Sequence, residues 1–153
     1  MTAKDALDIR IKLVELCRIA QTRTVDSSKA AMNEVQLALN DYGANKDRYD
    51  SFRDQLIGRR DMFKGQYQKA LSELNVLEMI DLKEPRDTVE FGAIVISDVC
   101  RFFVSISAGK IELDGQLYYA ISPAVPLYKA MEGFKKGDSF EFNGKKQHIE
   151  EVF

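Results

Sequence analysis

An apolar side chain recurs at every seventh position between residues 49 and 77, at Tyr49, Leu56, Phe63, Ala70 and Leu77. A similar repeat with one change of phase precedes it, at Ile9, Leu13, Leu16, Ala20, Val25, Met32, Val35 and Leu39. Apolar heptads of this length are typical of helices that bury a narrow seam against each other. The first 80 residues contain no proline that would break such helices. The sequence therefore predicts an antiparallel coiled-coil hairpin over residues 1–80, with its turn at residues 40–50.

Three small residues interrupt this seam. Ser28 occupies one inward position, and Gly58 and Gly65 lie within the second helix. Each glycine costs about 1 kcal/mol relative to alanine in a helix, and a close approach of the two helices would explain their presence. An arm of about 35 residues reaches roughly 50 Å at the helical rise. We therefore expect the hairpin to extend beyond any small domain beside it.

The pattern changes after residue 80. Residues 81–88, DLKEPRDT, are polar and contain Pro85, which predicts a linker. Apolar residues then alternate, at Val89, Phe91, Ala93, Val95, Phe102, Val104 and Ile106. Asp114-Gly115 and Asn143-Gly144 each separate two apolar stretches, as in two-residue β-hairpin turns. Residues 89–153 are therefore predicted to form a compact antiparallel sheet with one helix near Pro126, which makes the whole chain α+β.

Composition narrows the classes of function. The 153 residues carry a net charge of −2, which disfavours a protein that mainly grips free nucleic acid. No apolar run is long enough for a membrane span, and the first residues lack an export signal. Cys17 and Cys100 have no metal-type spacing and are expected to be free thiols, and His148 is expected to be structural. We expect a cytoplasmic, monomeric protein that binds another protein.

The turn between the helices, LNDYGANKDRYD, contains three carboxylates: Asp41, Asp47 and Asp50. Two interpretations are open. Asp47 and Asp50 could favour the dipole at the start of the second helix, with Asn45 as its cap and Asp41 as a turn residue. Alternatively, the tip of the hairpin could carry acidic groups to the active site of another protein.

Basic residues of the second helix form one stripe, because their spacing is seven, seven and four: Lys46, Arg53, Arg60 and Lys64. This stripe is either a solvated flank of the helix or a surface that faces an anionic partner.

Residues 121–138, ISPAVPLYKAMEGFKKGD, resemble the signature of bacterial Gre transcript-cleavage factors, which reads close to I-S-P-x-S-P-L-x-x-A-L-x-G-K-K-x-G-D. The matching positions are Ile121, Ser122, Pro123, Pro126, Leu127, Ala130, Gly133, Lys135, Gly137 and Asp138. Residues 89–95 and 149–153 are similar to the opening and closing strands of the same domain. The arm resembles the family in architecture and length.

The resemblance implies an FKBP-like C-terminal domain that docks at the rim of the secondary channel of RNA polymerase. The residues implied in docking are Ile121, Ser122, Pro123, Pro126, Leu127, Gly133, Gly137 and Asp138. It also implies that the coiled coil enters the channel, where acids at its tip help to hold a second Mg²⁺ while the polymerase cuts its own backtracked transcript. The basic stripe would face the 3′ end of that transcript. No cofactor is implied for the isolated protein.

The tip departs from the family pattern, which resembles D-L-x-E-N-A-E-Y. Asp41 matches the first Asp, Asn45 the Asn, Asp47 the later acid and Tyr49 the aromatic residue, while Ala44 stands where the first Glu is expected. The resemblance thus implies that Asp41, with Asp47 nearby, is the Mg²⁺ ligand and that cleavage stimulation is weak or absent.

Other functions stay open at this point. A channel-binding regulator without cleavage activity is one alternative to a cleavage factor. In other classes, a coiled-coil chaperone or adaptor would grip clients with its apolar seam, and an FKBP-like prolyl isomerase would be an enzyme itself. In the favoured interpretation the protein is not an enzyme but an accessory factor that acts on the polymerase.

Overall fold

The computed structural model describes residues 2–43 and 51–153 of the chain. Three helices are present among these residues: α1 (Ala3–Tyr42), α2 (Ser51–Glu78) and α3 (Pro126–Met131). The strands are β1 (Ile94–Ser97), β2 (Arg101–Val104), β3 (Gly109–Leu113), β4 (Gln116–Ile121), β5 (Ser139–Phe142) and β6 (Lys145–Val152). The predicted α+β fold, a long helical hairpin followed by a sheet with one short helix, is confirmed.

The chain divides into two compact units. Ala20–Leu74, called the hairpin unit below, contains most of both long helices. The chain up to Ile19 together with Asn75–Phe153, called the sheet unit, contains all six strands and α3. The division therefore differs from the predicted one at residues 81–88, because the start of α1 and the end of α2 pack with the sheet.

The predicted apolar seam holds the hairpin unit together. Val35 and Leu39 of α1 pack with Leu56 of α2 in a buried cluster, which Phe63 joins as a partly buried neighbour. At the other end of the unit the amide of Gln21 donates to the carbonyl of Ala70 at 2.9 Å. These contacts pair early residues of one helix with late residues of the other, so the helices are antiparallel.

The two glycines of α2 do not mediate close helix contact. A Cβ atom added at Gly58 or at Gly65 meets nothing within 4 Å, and both residues are exposed. The explanation from close helix–helix approach is therefore wrong, and the structure gives no reason for glycine at either position.

The six strands of the sheet unit lie in the order β3-β4-β2-β1-β6-β5. Both predicted two-residue turns are confirmed, because Asp114 and Gly115 have φ of 50° and 76°, and Asn143 and Gly144 have 54° and 75°. The expectation of a purely antiparallel sheet needs one correction. Strand β4 returns beside β2 and pairs with it in parallel, with Phe102 opposite Tyr119.

Both faces of the sheet are covered. On one face the central strands contribute Ile94 and Phe103 to a core with Leu13 and Cys17 of α1 and Leu77 of α2. On the other face they contribute side chains to a second core with Tyr128 and Met131 of α3, namely Val95, Phe102 and Val104. Central strands covered on two sides are apolar at consecutive positions, as observed, rather than at alternate ones.

The predicted first strand at residues 89–95 begins later than expected. Gly92 adopts a φ of 87°, which turns the chain, so the ladder starts only at Ile94. Val89 is nevertheless buried, and its backbone exchanges hydrogen bonds with Gly133 and Phe134.

The segment predicted to be a linker folds around a buried arginine. The guanidinium of Arg86 donates to the carbonyl oxygens of Asp81, Glu84 and Phe91 at 2.9–3.0 Å. Only 7% of Arg86 is exposed. Residues 81–88 are therefore an ordered part of the sheet unit.

Gly92→Ala is expected to lower the free energy of unfolding by roughly 3–5 kcal/mol. A Cβ there would lie 2.5 Å from Nη2 of Arg86, so the side chain must give up at least one charged hydrogen bond, in addition to the cost of a left-handed alanine. Gly109→Ala is the matched control, because Gly109 has a φ of 79° with open space around it, and about 1–2 kcal/mol is expected there. Urea unfolding followed by circular dichroism measures the free energy of unfolding of both variants. Equal losses in the two variants would show that Arg86 moves aside without giving up a hydrogen bond.

Candidate functional site

Asp41 lies within the last turn of α1 and its side chain is exposed. The helix ends directly after it, where Gly43 has a φ of 85° and donates its N–H to the carbonyl of Leu39 at 3.1 Å. The carboxylate therefore sits at the negative end of the helix dipole, and α1 has no basic residue in this turn. The helix dipole therefore does not stabilise the charge of Asp41, so this interaction does not explain an aspartate at this position.

Two aromatic rings flank the tip. Tyr42 at the end of α1 and Phe52 at the start of α2 pack edge to face, with ring centroids 5.3 Å apart. Such pairs contribute about 0.5–1.5 kcal/mol beyond their buried area. The contact holds the two helix ends together on either side of the turn.

Part of the predicted site lies outside the described residues. These residues are Ala44, Asn45, Lys46, Asp47, Tyr49 and Asp50. The expected pairing of Asp41 with Asp47 therefore stays a prediction. Across residues 2–43 and 51–153, no group of three or more His, Cys, Asp or Glu side chains could hold a metal ion. One exposed carboxylate such as Asp41 fits an additional ligand to an ion held by a partner, not a metal site of its own.

The remaining residues of the basic stripe line one groove between the helices of the hairpin unit. Arg60 and Lys64 border a cavity of about 400 Å³ with Asn33 and Gln36 of α1. Arg60 and Gln36 also border a second cavity of about 330 Å³, which continues past Arg53 to Asn40 and Gly43. The three basic side chains are therefore brought together along a groove that runs to the end of α1.

The groove combines cations with amides. Nη1 of Arg60 reaches Oε1 of Gln36 at 3.4 Å, while Asp61 accepts hydrogen bonds from the same guanidinium at 3.1 and 3.2 Å. Asp61 offsets part of the charge of Arg60, but Lys64 is exposed. The groove therefore places positive charge beside neutral amide groups, within the hairpin unit.

The residues of the 121–138 signature form one continuous piece of the sheet unit. Ile121 ends β4, Pro126 is the first residue of α3, and Leu127 follows it. Ile121 and Leu127 border an apolar pocket of about 220 Å³, whose other lining residues are Cys100, Phe102, Tyr119, Phe142 and Gln147. The signature thus places α3 against the sheet and leaves Pro126 at the surface.

Several signature residues have a backbone role. Gly133 and Gly137 have φ of 77° and 93°, where side chains are disfavoured. Asp138 closes the turn before β5, since its Oδ2 accepts the N–H of Lys135 at 2.9 Å. These three residues shape the loop, and Gly133 and Gly137 are exposed, as are Pro126 and Lys129.

Sequence reasoning missed two buried arginines, Arg10 and Arg86. Arg10 is four residues after Ala6 and three before Leu13, and both of these are buried. A charged residue on the inward stripe of a helix was the available signal.

The two thiols of the sheet unit are free, as predicted, and burial raises the pKa of Cys17 to about 11, which makes it an unreactive core residue.

Comparison with known proteins gives matches among solved structures, at low sequence identity. No protein-family model and no curated protein matches the chain. Among solved structures, the transcription factor Gfh1 is similar at 14% identity and a TM-score of 0.36, over 90% of this chain and 93% of that chain. The GreA factor homolog 1 (Gfh1) of Thermus thermophilus matches at 15% and 0.34, over 89% and 94%, and Thermus aquaticus Gfh1 at 16% and 0.32, over 86% and 90%. Within the described ranges, no helix is long and apolar enough to cross a membrane.

Proposed function

We propose that the protein is a Gre-like factor that binds RNA polymerase and acts through its secondary channel. The observation that carries this proposal is the residue-by-residue match at 121–138. Its apolar, glycine and aspartate positions each have a place in one strand–helix–turn piece of the sheet unit.

In this proposal the two units have different tasks. The sheet unit docks at the rim of the channel through the exposed surface around Pro126, which the buried signature residues hold in shape. The hairpin unit enters the channel and brings Asp41 toward the active centre of the polymerase. The transcript lies along the groove of Arg53, Arg60 and Lys64, which needs no tight binding of free RNA because docking supplies the affinity.

Two observations bear on the alternatives. An arm that grips clients needs an open apolar seam, but Val25, Val35, Leu39 and Leu56 are already buried within the hairpin unit. This disfavours a chaperone. The apolar pocket beside α3 favours a prolyl isomerase to some degree, yet its 220 Å³ is below the roughly 300–1,000 Å³ of ordinary ligand pockets. Polymerase binding remains the better-supported function.

Pro126→Arg is expected to weaken binding to core RNA polymerase by about tenfold or more, which is roughly 1.4 kcal/mol. The side chain is exposed at the start of α3, so a long cation there disturbs the proposed docking surface without opening the core. Fluorescence anisotropy of labelled protein titrated with purified core polymerase measures the affinity.

Leu117→Arg is the matched control, because Leu117 is an exposed apolar residue in the same unit, near the other end of β4. It should leave binding within about twofold. Failure of the natural protein to bind polymerase at micromolar concentration would refute the proposed function. Equal losses of affinity in both variants would show that the docking surface is not the one around the signature.

A further inference from the structure

The sheet unit contains a pocket of about 330 Å³ that no proposed role uses. Its walls come from the first turns of α1 and from residues 83–86. The apolar part consists of Ala3, Ala6, Leu7, Pro85 and Phe153, and the polar part consists of Lys4, Arg10, Lys83 and Arg86. The volume lies within the range of small-molecule sites. Every charged side chain of the lining is basic.

Arg10 is buried in the pocket wall with an incomplete set of hydrogen bonds. It is only 2% exposed, and it donates through Nε to the carbonyl of Gly92 at 3.0 Å and through Nη1 to that of Leu82 at 3.3 Å. Its Nη2 is buried and has no hydrogen-bond partner among the described residues. Buried charged donors are normally satisfied, so this one indicates a missing acceptor.

No carboxylate near the second buried guanidinium supplies that acceptor. Arg86 donates to three carbonyl oxygens, and the nearest carboxylate oxygen, of Glu90, is 3.8 Å from its Nε. Asp81 lies close by, but its Oδ1 already accepts the N–H groups of Lys83 and Glu84. Neutral carbonyls therefore accept the hydrogen bonds of the two cations, and the ion pair of Arg86 with Glu90 is long, at 3.8 Å.

The pKa of Arg10 agrees with its incomplete set of hydrogen bonds. Burial, and then the positive charge of Arg86, lower the pKa of Arg10 to about 10, while Asp81 acts weakly in the opposite direction. Arg10 thus stays charged at neutral pH in surroundings that disfavour its charge. An anion in the pocket would relieve both the desolvation and the repulsion.

We propose that this pocket binds a small organic anion, whose carboxylate or phosphate group pairs with Arg10 while its apolar part lies against Leu7, Pro85 and Phe153. Lys4 and Lys83 at the exposed rim attract the anion and add charge to the site. A guanidinium with an unused N–H suits either group, since both present two oxygens to one side chain. The proposal does not depend on polymerase binding, because all residues concerned lie within the sheet unit.

Phenyl phosphate, benzoate and inorganic phosphate are the probes, each titrated into the full-length protein at constant ionic strength. Isothermal calorimetry measures affinity, and ¹⁵N chemical shifts of arginine Nε report on Arg10 and Arg86. We expect saturable binding of at least one aromatic anion, tighter than that of inorganic phosphate, with the largest shift at Arg10. The tighter of the two aromatic anions identifies the preferred group.

The variant Lys4→Glu with Lys83→Glu should reduce affinity about tenfold or more through reversal of two rim charges. Lys145→Glu with Lys146→Glu makes the same charge change at the exposed start of β6 and should leave affinity unchanged. Arg10→Met should abolish binding, and the rim variant keeps the proposal testable if Arg10→Met does not fold. Absence of saturable binding, or equal losses in the rim variant and its control, would overturn the proposal.

Discussion

A fragment of residues 89–153 is expected to be unfolded in isolation, although it contains the whole sheet and α3. The fragment lacks the helical side of one of its two cores, where Leu13, Val14, Leu77 and Ile80 are buried. Burial of four such side chains contributes roughly 6–12 kcal/mol, which is comparable with the entire stability of a small domain. Near-ultraviolet circular dichroism and amide proton dispersion should show no fixed tertiary structure.

The control retains the sheet unit and removes most of the hairpin unit. A turn of about four residues replaces residues 22–70, a length that ordinarily joins antiparallel helices. In this variant Arg18 keeps its ion pair with Glu78, with Nε and Oε1 2.7 Å apart, and the core beneath the sheet stays complete. It should unfold cooperatively. A cooperatively folded 89–153 fragment would show that the helix ends are dispensable and that the chain divides at residues 81–88 after all.

The sequence was sufficient to predict the helices and most of the strands. It was not sufficient to predict the residues at which each long helix stops packing on the other and packs on the sheet instead. Heptads predict which face of a helix is apolar, and Asp-Gly and Asn-Gly fix hairpin turns by local geometry. The same apolar stripe can pack on a helix or on a sheet, however. Leu13 packs under the sheet and Val35 packs on α2, although both belong to apolar repeats that differ only in phase. The parallel pairing of β2 with β4 is likewise a choice between distant strands, which no local signal determines.

The candidate site was predictable in part for the same reason. The basic stripe was predicted from helical spacing alone, and its described members Arg53, Arg60 and Lys64 border the groove. Which residues of α1 lie opposite this stripe depends on the register of the two helices. The sequence pattern of one helix does not contain that register, so the amides were not predicted. Arg10 and Arg86 were missed because arginine is ordinarily a surface residue, and only tertiary structure shows that backbone carbonyls accept hydrogen bonds from them in the interior.

Ala44→Glu is expected to raise transcript cleavage in a purified, backtracked polymerase complex by about tenfold or more, from a weak or absent level in the natural protein. A second carboxylate, three positions after Asp41 in the sequence, would offer another oxygen ligand for Mg²⁺ at the polymerase active centre. Tenfold corresponds to about 1.4 kcal/mol of barrier, which is modest for one additional charged ligand. Gel analysis of transcript shortening over a Mg²⁺ series measures the rate, and the gain should be largest at low Mg²⁺.

Asp41→Asn should remove whatever cleavage either protein supports, and it should do so without loss of stability. Its carboxylate faces the negative end of the α1 dipole, so neutralisation should raise the free energy of unfolding by roughly 0.3–1 kcal/mol. Asp26→Asn, on the exposed surface of the same helix, is the control and should leave cleavage unchanged. Activity that survives Asp41→Asn would assign the acid to Asp47 or Asp50. If polymerase binds both the natural protein and Ala44→Glu without any cleavage, the tip acts as a plug in the channel, and the regulator without cleavage activity becomes the better description.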